Sequence, residues 1–256
     1  MSKSDSPYSS FLNPEELHHL NRRFGVTKES LIELFKIAVS DNDQKNLRTI
    51  AEIGAGAFHH AIDAATFFQA SEVFGFEPAS DMFSNGVNNV NASGLSNLHP
   101  FPIAIEDIPE KFNEMFDLTI SIMILHFCVS YKSYFSDLSR ISKKGSLHIL
   151  VDAMMPTDLS PAEELAFSEF FSKNFSFRTE PLDVISFENF VNSQGFEILH
   201  YSNDKNRVDT ETASLKTNMF PKDQYEIIQE ITNRYGLEIC FFYTFKFLKT
   251  FVLRKL

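Results

Sequence analysis

An α/β fold, with helices wound about a mostly parallel sheet, is what these 256 residues predict, and three observations carry that prediction. The first is the stretch Thr49 to Pro78, TIAEIGAGAFHHAIDAATFFQASEVFGFEP. A short apolar run, Ile50 to Ile53, is interrupted only by Glu52 and empties into Gly54 and Gly56. Ala61, Ile62, Ala65 and Phe68 follow at helical spacing, and a second apolar run, Val73 to Phe76, ends on Glu77 and Pro78. Strand, glycine turn, helix, strand and acid, in that order, describe a βαβ unit with a nucleotide-sized crevice at the carboxyl ends of its strands. The second observation is Phe116 to Cys128, FDLTISIMILHFC, an apolar strand opened by an acid and read as running on through Ser121 to Leu125 and His126. The third is the alternation of strand and helix signals along the rest of the chain, which is the pattern of a doubly wound sheet.

Composition narrows the partners. A hydrophobic fraction of 43% supports a packed core, and the length suits one domain with a small cap. The net charge is −11 and there is no Lys/Arg-rich run, so the counterion release that drives nucleic-acid binding has no footing and a small or cationic substrate fits better. The opening MSKSDSPYSS has no apolar signal core, and no run approaches the ~20 apolar residues that span a bilayer; a soluble, cytoplasmic protein is expected. Phenylalanine is abundant at 28 copies with no tryptophan, which suggests core rings and an apolar cavity in the second half. Cys128 and Cys240, far apart in apolar sequence, read as buried thiols, with neither a disulfide framework nor a metal site.

The elements follow in order. Residues 1–43 read as a flexible arm and a helical cap: Asn13-Pro14-Glu15 has helix-start chemistry, Gly25 is a stop, and Thr27 opens a helix with Leu31, Leu34, Phe35 and Ala38 on one face. After Glu77, residues 79–90 read as helix, 91–97 as loop, and 98–103 as a short strand broken by Pro100 and Pro102. Tyr131 to Ile141 is a helix, Gly145 its turn and Ser146 to Val151 a strand with Asp152 at its end. Ser160-Pro161 with Glu163 looks like a capping box opening an inserted, ring-rich helix. Ser186 starts a short helix closed by Gly195, and Phe196 to Tyr201 is a strand. A polar loop, a helix from Pro221 to Tyr235, and a last strand from Phe241 complete the chain. The main domain is then residues 44–256, with insertions at about 154–180 and 203–240.

The glycine pattern separates two ligand classes. A dinucleotide turn wants a third glycine in G-x-G-x-x-G, and His59 stands there, which disfavours a nicotinamide cofactor. Glu52-Ile53-Gly54-Ala55-Gly56 instead resembles the E-x-G-x-G turn of the class I, Rossmann-like S-adenosylmethionine-dependent methyltransferases, and the 116–128 stretch resembles their F-D-x-V-x-S-x-x-x-L-H-H pattern. The resemblance implies a seven-stranded sheet in the order 3-2-1-4-5-7-6 and S-adenosyl-L-methionine as cofactor. It implies that Glu52, Gly54 and Gly56 face the ligand's amino acid part, and that Glu77, with Pro78 beside it, takes the ribose hydroxyls. Ile105 would supply a backbone contact next to Glu106, and Ser121 and Ile122 would line the cofactor. Two departures stand out: Phe58 occupies the place of a further glycine, where its ring is expected to narrow the pocket, and Ala104 stands where many members carry the acid that meets the adenine amine. The stretch around Ile105 is similar to an I-E-x-L-P stretch of the tRNA wobble-uridine carboxymethyltransferases.

Methyl transfer needs positioning, exclusion of water and, for a weakly acidic nucleophile, one base. His126 is the first candidate, because imidazole titrates near neutrality and the residue follows a core strand. His59, beside His60 at a helix start, is a second candidate; Tyr131 and Asp152 follow. Each has an alternative reading as a cavity-shaping or solvated residue. The expected activity is O- or N-methylation of a small molecule, with a homodimer left open. A methyltransferase-like pseudoenzyme that binds a partner, and a tRNA-modifying enzyme, remain as alternatives.

Overall fold

The computed structural model describes residues 26–40, 46–128, 130–154, 183–203 and 248–256. The expected arm and first helix before Gly25, the inserted helix after Ser160, and the loop and helix between the last two strands lie outside the described residues, as does Cys240.

Helix α1 (Lys28–Ala38) begins where the Thr27 hydroxyl accepts the Ser30 amide, and buries Leu31, Leu34 and Phe35. Strand β1 (Thr49–Ile53) passes through the glycine turn into α2 (His59–Phe67) and β2 (Glu72–Phe76). Helix α3 (Ser80–Ser93) and β3 (Leu98–Phe101) follow, then two 3-10 turns (Ile105–Asp107 and Glu110–Phe112) and β4 (Phe116–Ile122). A third 3-10 turn (Leu125–Phe127) leads to α4 (Tyr131–Ile141) and β5 (Ser142–Ala153). Helix α5 (Val184–Ser193), capped by Asp183, is followed by β6 (Phe196–Asn203) and β7 (Leu248–Lys255).

These seven strands form one sheet in the order β3-β2-β1-β4-β5-β7-β6. The first five pair in parallel, and β7 lies antiparallel between β5 and β6. Strand order therefore reverses between β1 and β4, whose carboxyl ends lead to helices on opposite faces of the sheet and leave the crevice in which such sheets hold ligands. Side chains alternate along each strand. Ile50, Val73, Leu118, Ile120, Ile149 and Val151 pack under α1 and α2, while Ala51, Ile53, Phe76, Leu150 and Phe251 pack under α4 and α5. Phe74, Phe76, Phe101, Phe112 and Phe116 meet ring to ring on this second face, at centroid distances of 5.4 to 6.1 Å. Those rings belong to the core on that face.

Several boundaries differ from the sequence reading, among them a start of α5 at Val184 and an end of β6 at Asn203. Helix α3 runs on to Ser93, β3 stops at Phe101, and β5 begins at Ser142, since Gly145 (φ +77°) is absorbed as an irregularity inside the strand. Most important for the site, β4 ends at Ile122 and does not continue to His126. Met123 turns out with φ +58°, and the Leu125 amide is taken by the Asp152 carboxylate at 2.8 Å, so ladder pairing gives way to a 3-10 turn. Cys128 is half-buried, its thiol 3.5 Å from the Ile124 carbonyl. Among the described residues no helix is long and apolar enough to cross a membrane.

Candidate functional site

The turn between β1 and α2 is held from below by the neighbouring strand. The amides of Gly54 and Ala55 both donate to the Phe76 carbonyl, at 2.8 and 3.0 Å, and the Gly56 amide donates to Oε2 of Glu77 at 2.8 Å. The other Glu77 oxygen accepts the Ala79 amide at 2.7 Å, which fixes the chain as it enters α3. Gly54 has φ +69°, and a Cβ there would sit 2.3 Å from Cγ2 of Ile124, so both conformation and space demand glycine. Around this turn stand Glu77, Ile124 from the end of β4, and Met82 of α3, whose Cε lies 3.8 Å from where a Gly56 Cβ would be.

Glu77 is 7% exposed, and burial raises its pKa against the pull of its two amide donors. A carboxylate accepts at about four lone-pair positions, so two remain for a ligand's hydroxyls. Pro78 follows, partly exposed. Glu52 is placed differently from Glu77. Alternation turns it to the α1–α3 face, where it is 1% exposed, 3.4 Å from Nδ1 of His60, with burial raising its pKa. The outer atoms of this pair, Oε2 of Glu52 and Nε2 of His60, have no hydrogen-bond partner.

On the other side of β2, Ile105 is buried and Glu106 is exposed. Arg140 of α4 donates to the carbonyls of Ile108 and Ile105 at 3.0 and 3.3 Å and to Asn113 Oδ1 at 2.9 Å, with Asp137 orienting the guanidinium. Those bonds, and the Ile108 amide on the Ile105 carbonyl, leave the Ile105 amide as the group it can offer a ligand.

The expected catalytic residues stand on three elements. His126 sits in the 3-10 turn beyond β4; its side chain lies outside the described atoms. His59 opens α2 and turns toward α3, with Nε2 3.5 Å from Asn89 Nδ2. Tyr131 starts α4 and packs against the rings of Phe187 and Phe190 at 6.4 and 6.2 Å. The Ser121 hydroxyl meets the Tyr134 hydroxyl in the core under α4, so only its backbone faces the strand end; Ile122 packs on the opposite face. The structure thus gathers Gly54, Gly56 and Glu77; Glu52 pairs with His60 yet is near enough for its charge to raise the pKa of Glu77, while the contacts of His59 and Tyr131 run to α3 and α5. Ile124, Met82 and Arg140 had no sequence signal: the first lay inside an apolar run, and the others reach the site only through helix packing.

Phe58 is where the sequence reading is corrected most. Its ring is fully buried in the α1–α3 core, and it does not narrow the crevice. A Cβ added to Gly75 would lie 2.4 Å from its Cε1, and one added to Gly86 2.2 Å from its Cδ2. Two missing side chains, on β2 and α3, make the slot that holds the ring.

No family model and no curated protein sequence matches the chain. Solved structures do. The YcgJ protein of Bacillus subtilis superposes with a TM-score of 0.65 at 16% identity, covering 89% of this chain and 98% of that one. An S-adenosylmethionine-dependent methyltransferase of Aquifex aeolicus gives 0.54 at 14% identity over 75% and 93%. The cyclopropane synthase MmaA2 of Mycobacterium tuberculosis gives 0.61 at 15% identity over 93% and 88%. With the strand order, the glycine turn and the acid ending β2, these superpositions establish that the chain has the class I S-adenosylmethionine-dependent methyltransferase fold.

Proposed function

We propose that this chain is an S-adenosylmethionine-dependent methyltransferase acting on a small molecule at oxygen or nitrogen. The observation that carries the reading is the bare turn Gly54–Gly56 joined by a hydrogen bond to a buried carboxylate at the end of β2. The residues present fit the cofactor: glycines admit its amino acid part, Glu77 has lone pairs for a ribose diol, and the Ile105 amide is left to meet the base. When bound, the sulfonium supplies a methyl group with its leaving group already attached. The chain's share is orientation by the turn and Glu77, exclusion of water by Ile124 and Met82, and removal of a proton by His126 if the acceptor is weakly acidic. The net charge of −11 supports a small acceptor over tRNA, and tRNA shift assays at two salt concentrations check that directly.

Titration calorimetry with S-adenosylmethionine and S-adenosylhomocysteine tests the binding, and formation of the latter across a panel of amines, phenols and carboxylates tests the turnover. A cyclopropane synthase shares the fold, and a cyclopropane is built on a carbon–carbon double bond, so the panel includes an alkene. A second reading, a partner-binding subunit without catalysis, is favoured by Ala104 in place of the adenine-facing acid. No heat of binding at millimolar cofactor would select it.

A further inference from the structure

We propose that Phe58 is the positioning residue of the glycine turn: its ring locks the turn and α3 into one unit while leaving the ligand side clear. Phe58 is the N-cap of α2 and holds φ +64°, a left-handed conformation that costs an L-residue and that a glycine at this place would adopt freely. Nothing is gained by that strain unless the ring is used, and it is. Wedged between Gly75 of β2 and Gly86 of α3, with Phe83 edge-on at 6.0 Å, the ring sets how close α3 lies to the sheet. The same helix sends Asn89 to the Ala57 carbonyl at 3.1 Å and Met82 over Gly56. Gly56 in turn donates to Glu77, which leads into α3. The turn, the acid and the helix therefore close a ring of contacts, with the fully buried side chain of Phe58 inside it.

The variants F58A, F58L, G75A and F58A/G75A test this role. In the ligand-free protein, G75A lowers the denaturation midpoint because its methyl meets the ring, and the same substitution costs little in F58A, where Ala55 at 3.4 Å is the nearest remaining neighbour. Amide hydrogen exchange in F58A rises about ten-fold or more across 54–58 and the start of α3 while β5 and β7 amides keep their protection, and F58L restores most of it. Loss of protection spread evenly over the sheet, or an unchanged turn, overturns the proposal, as does equal cost of G75A with and without the ring. The binding arm rests on the cofactor reading above: F58A weakens S-adenosylhomocysteine about ten-fold and F58L by less. Tighter binding in F58A means that the ring obstructs the site, which also overturns the proposal. If the wild type binds no S-adenosylhomocysteine, the methyltransferase reading fails, and exchange and the G75A cycle still decide the role of Phe58.

Discussion

With one oxygen on the Gly56 amide and the other on the Ala79 amide, the Glu77 carboxylate braces the turn before any ligand arrives. Replacing Glu77 by Ala is expected to weaken S-adenosylhomocysteine by on the order of 1–3 kcal/mol, the usual cost of a lost charged hydrogen-bond partner, and calorimetry reads it. Glu77→Gln separates the two roles. Its amide nitrogen would confront one of the two backbone N–H groups, so the ligand-free melting temperature falls as well; an unchanged melt would show that the brace contributes nothing. Glu52 makes a different prediction. Burial raises its pKa above 4.5, so the folded protein holds that proton to a higher pH than the unfolded chain does. Its contribution is fully present below pH 4.5 and is lost as pH rises through the folded value. Glu52→Gln removes that loss, and the difference in stability between variant and wild type should grow in the variant's favour from pH 4 to pH 7.

At the level of elements, one acid staples three strands at the edge opposite the crevice. Asp117 of β4 accepts the amides of Arg48 and Thr49 at 2.9 and 3.0 Å, the Thr49 hydroxyl at 3.1 Å, and Lys143 of β5 at 2.6 Å. Burial pushes its pKa up, but Lys143 and the two amides outweigh that and hold it below 3.8. The stabilisation is therefore present above pH 3.8 and lost as pH falls through the folded value. Asp117→Ala is expected to cost on the order of 2–3 kcal/mol in urea denaturation at pH 7, with little effect on ligand affinity, since the staple lies at the amino ends of the strands. The element that most affects the site is the end of β4. Phe116 to Cys128 is apolar with no breaker, so period and composition extend the strand to His126. What ends it is Asp152 on β5, whose carboxylate claims the Leu125 amide and frees Ile124 to fold over Gly54.

Over the whole molecule, the sheet buries a further titratable group, His148 of β5, hydrogen-bonded through Nδ1 to Thr119 and held neutral with a pKa lowered by burial to about 3. An unfolded histidine protonates near 6.5, so stability is full above that pH and falls below it, by about 1.4 kcal/mol per pH unit until about 3. Melts at pH 7 and pH 5 check this: the wild type loses stability over that interval, and His148→Gln, which keeps an acceptor for Thr119, loses less. The order of strands and helices, the turn at Gly54–Gly56 and the acid at Glu77 were legible in the chain, because burial periodicity, glycine and a strand-ending carboxylate are local signals. Phe58 read as an obstruction, since the slot that receives it is made by Gly75 and Gly86, residues 17 and 28 positions away along the chain. Likewise, the burial of Glu52 under α2 and the closure of Ile124 over Gly54 depend on which elements pack together. Sequence by itself determined where the backbone turns and which face of each element is apolar; tertiary packing alone decided which side chains line the crevice, because that depends on contacts between residues distant in the chain.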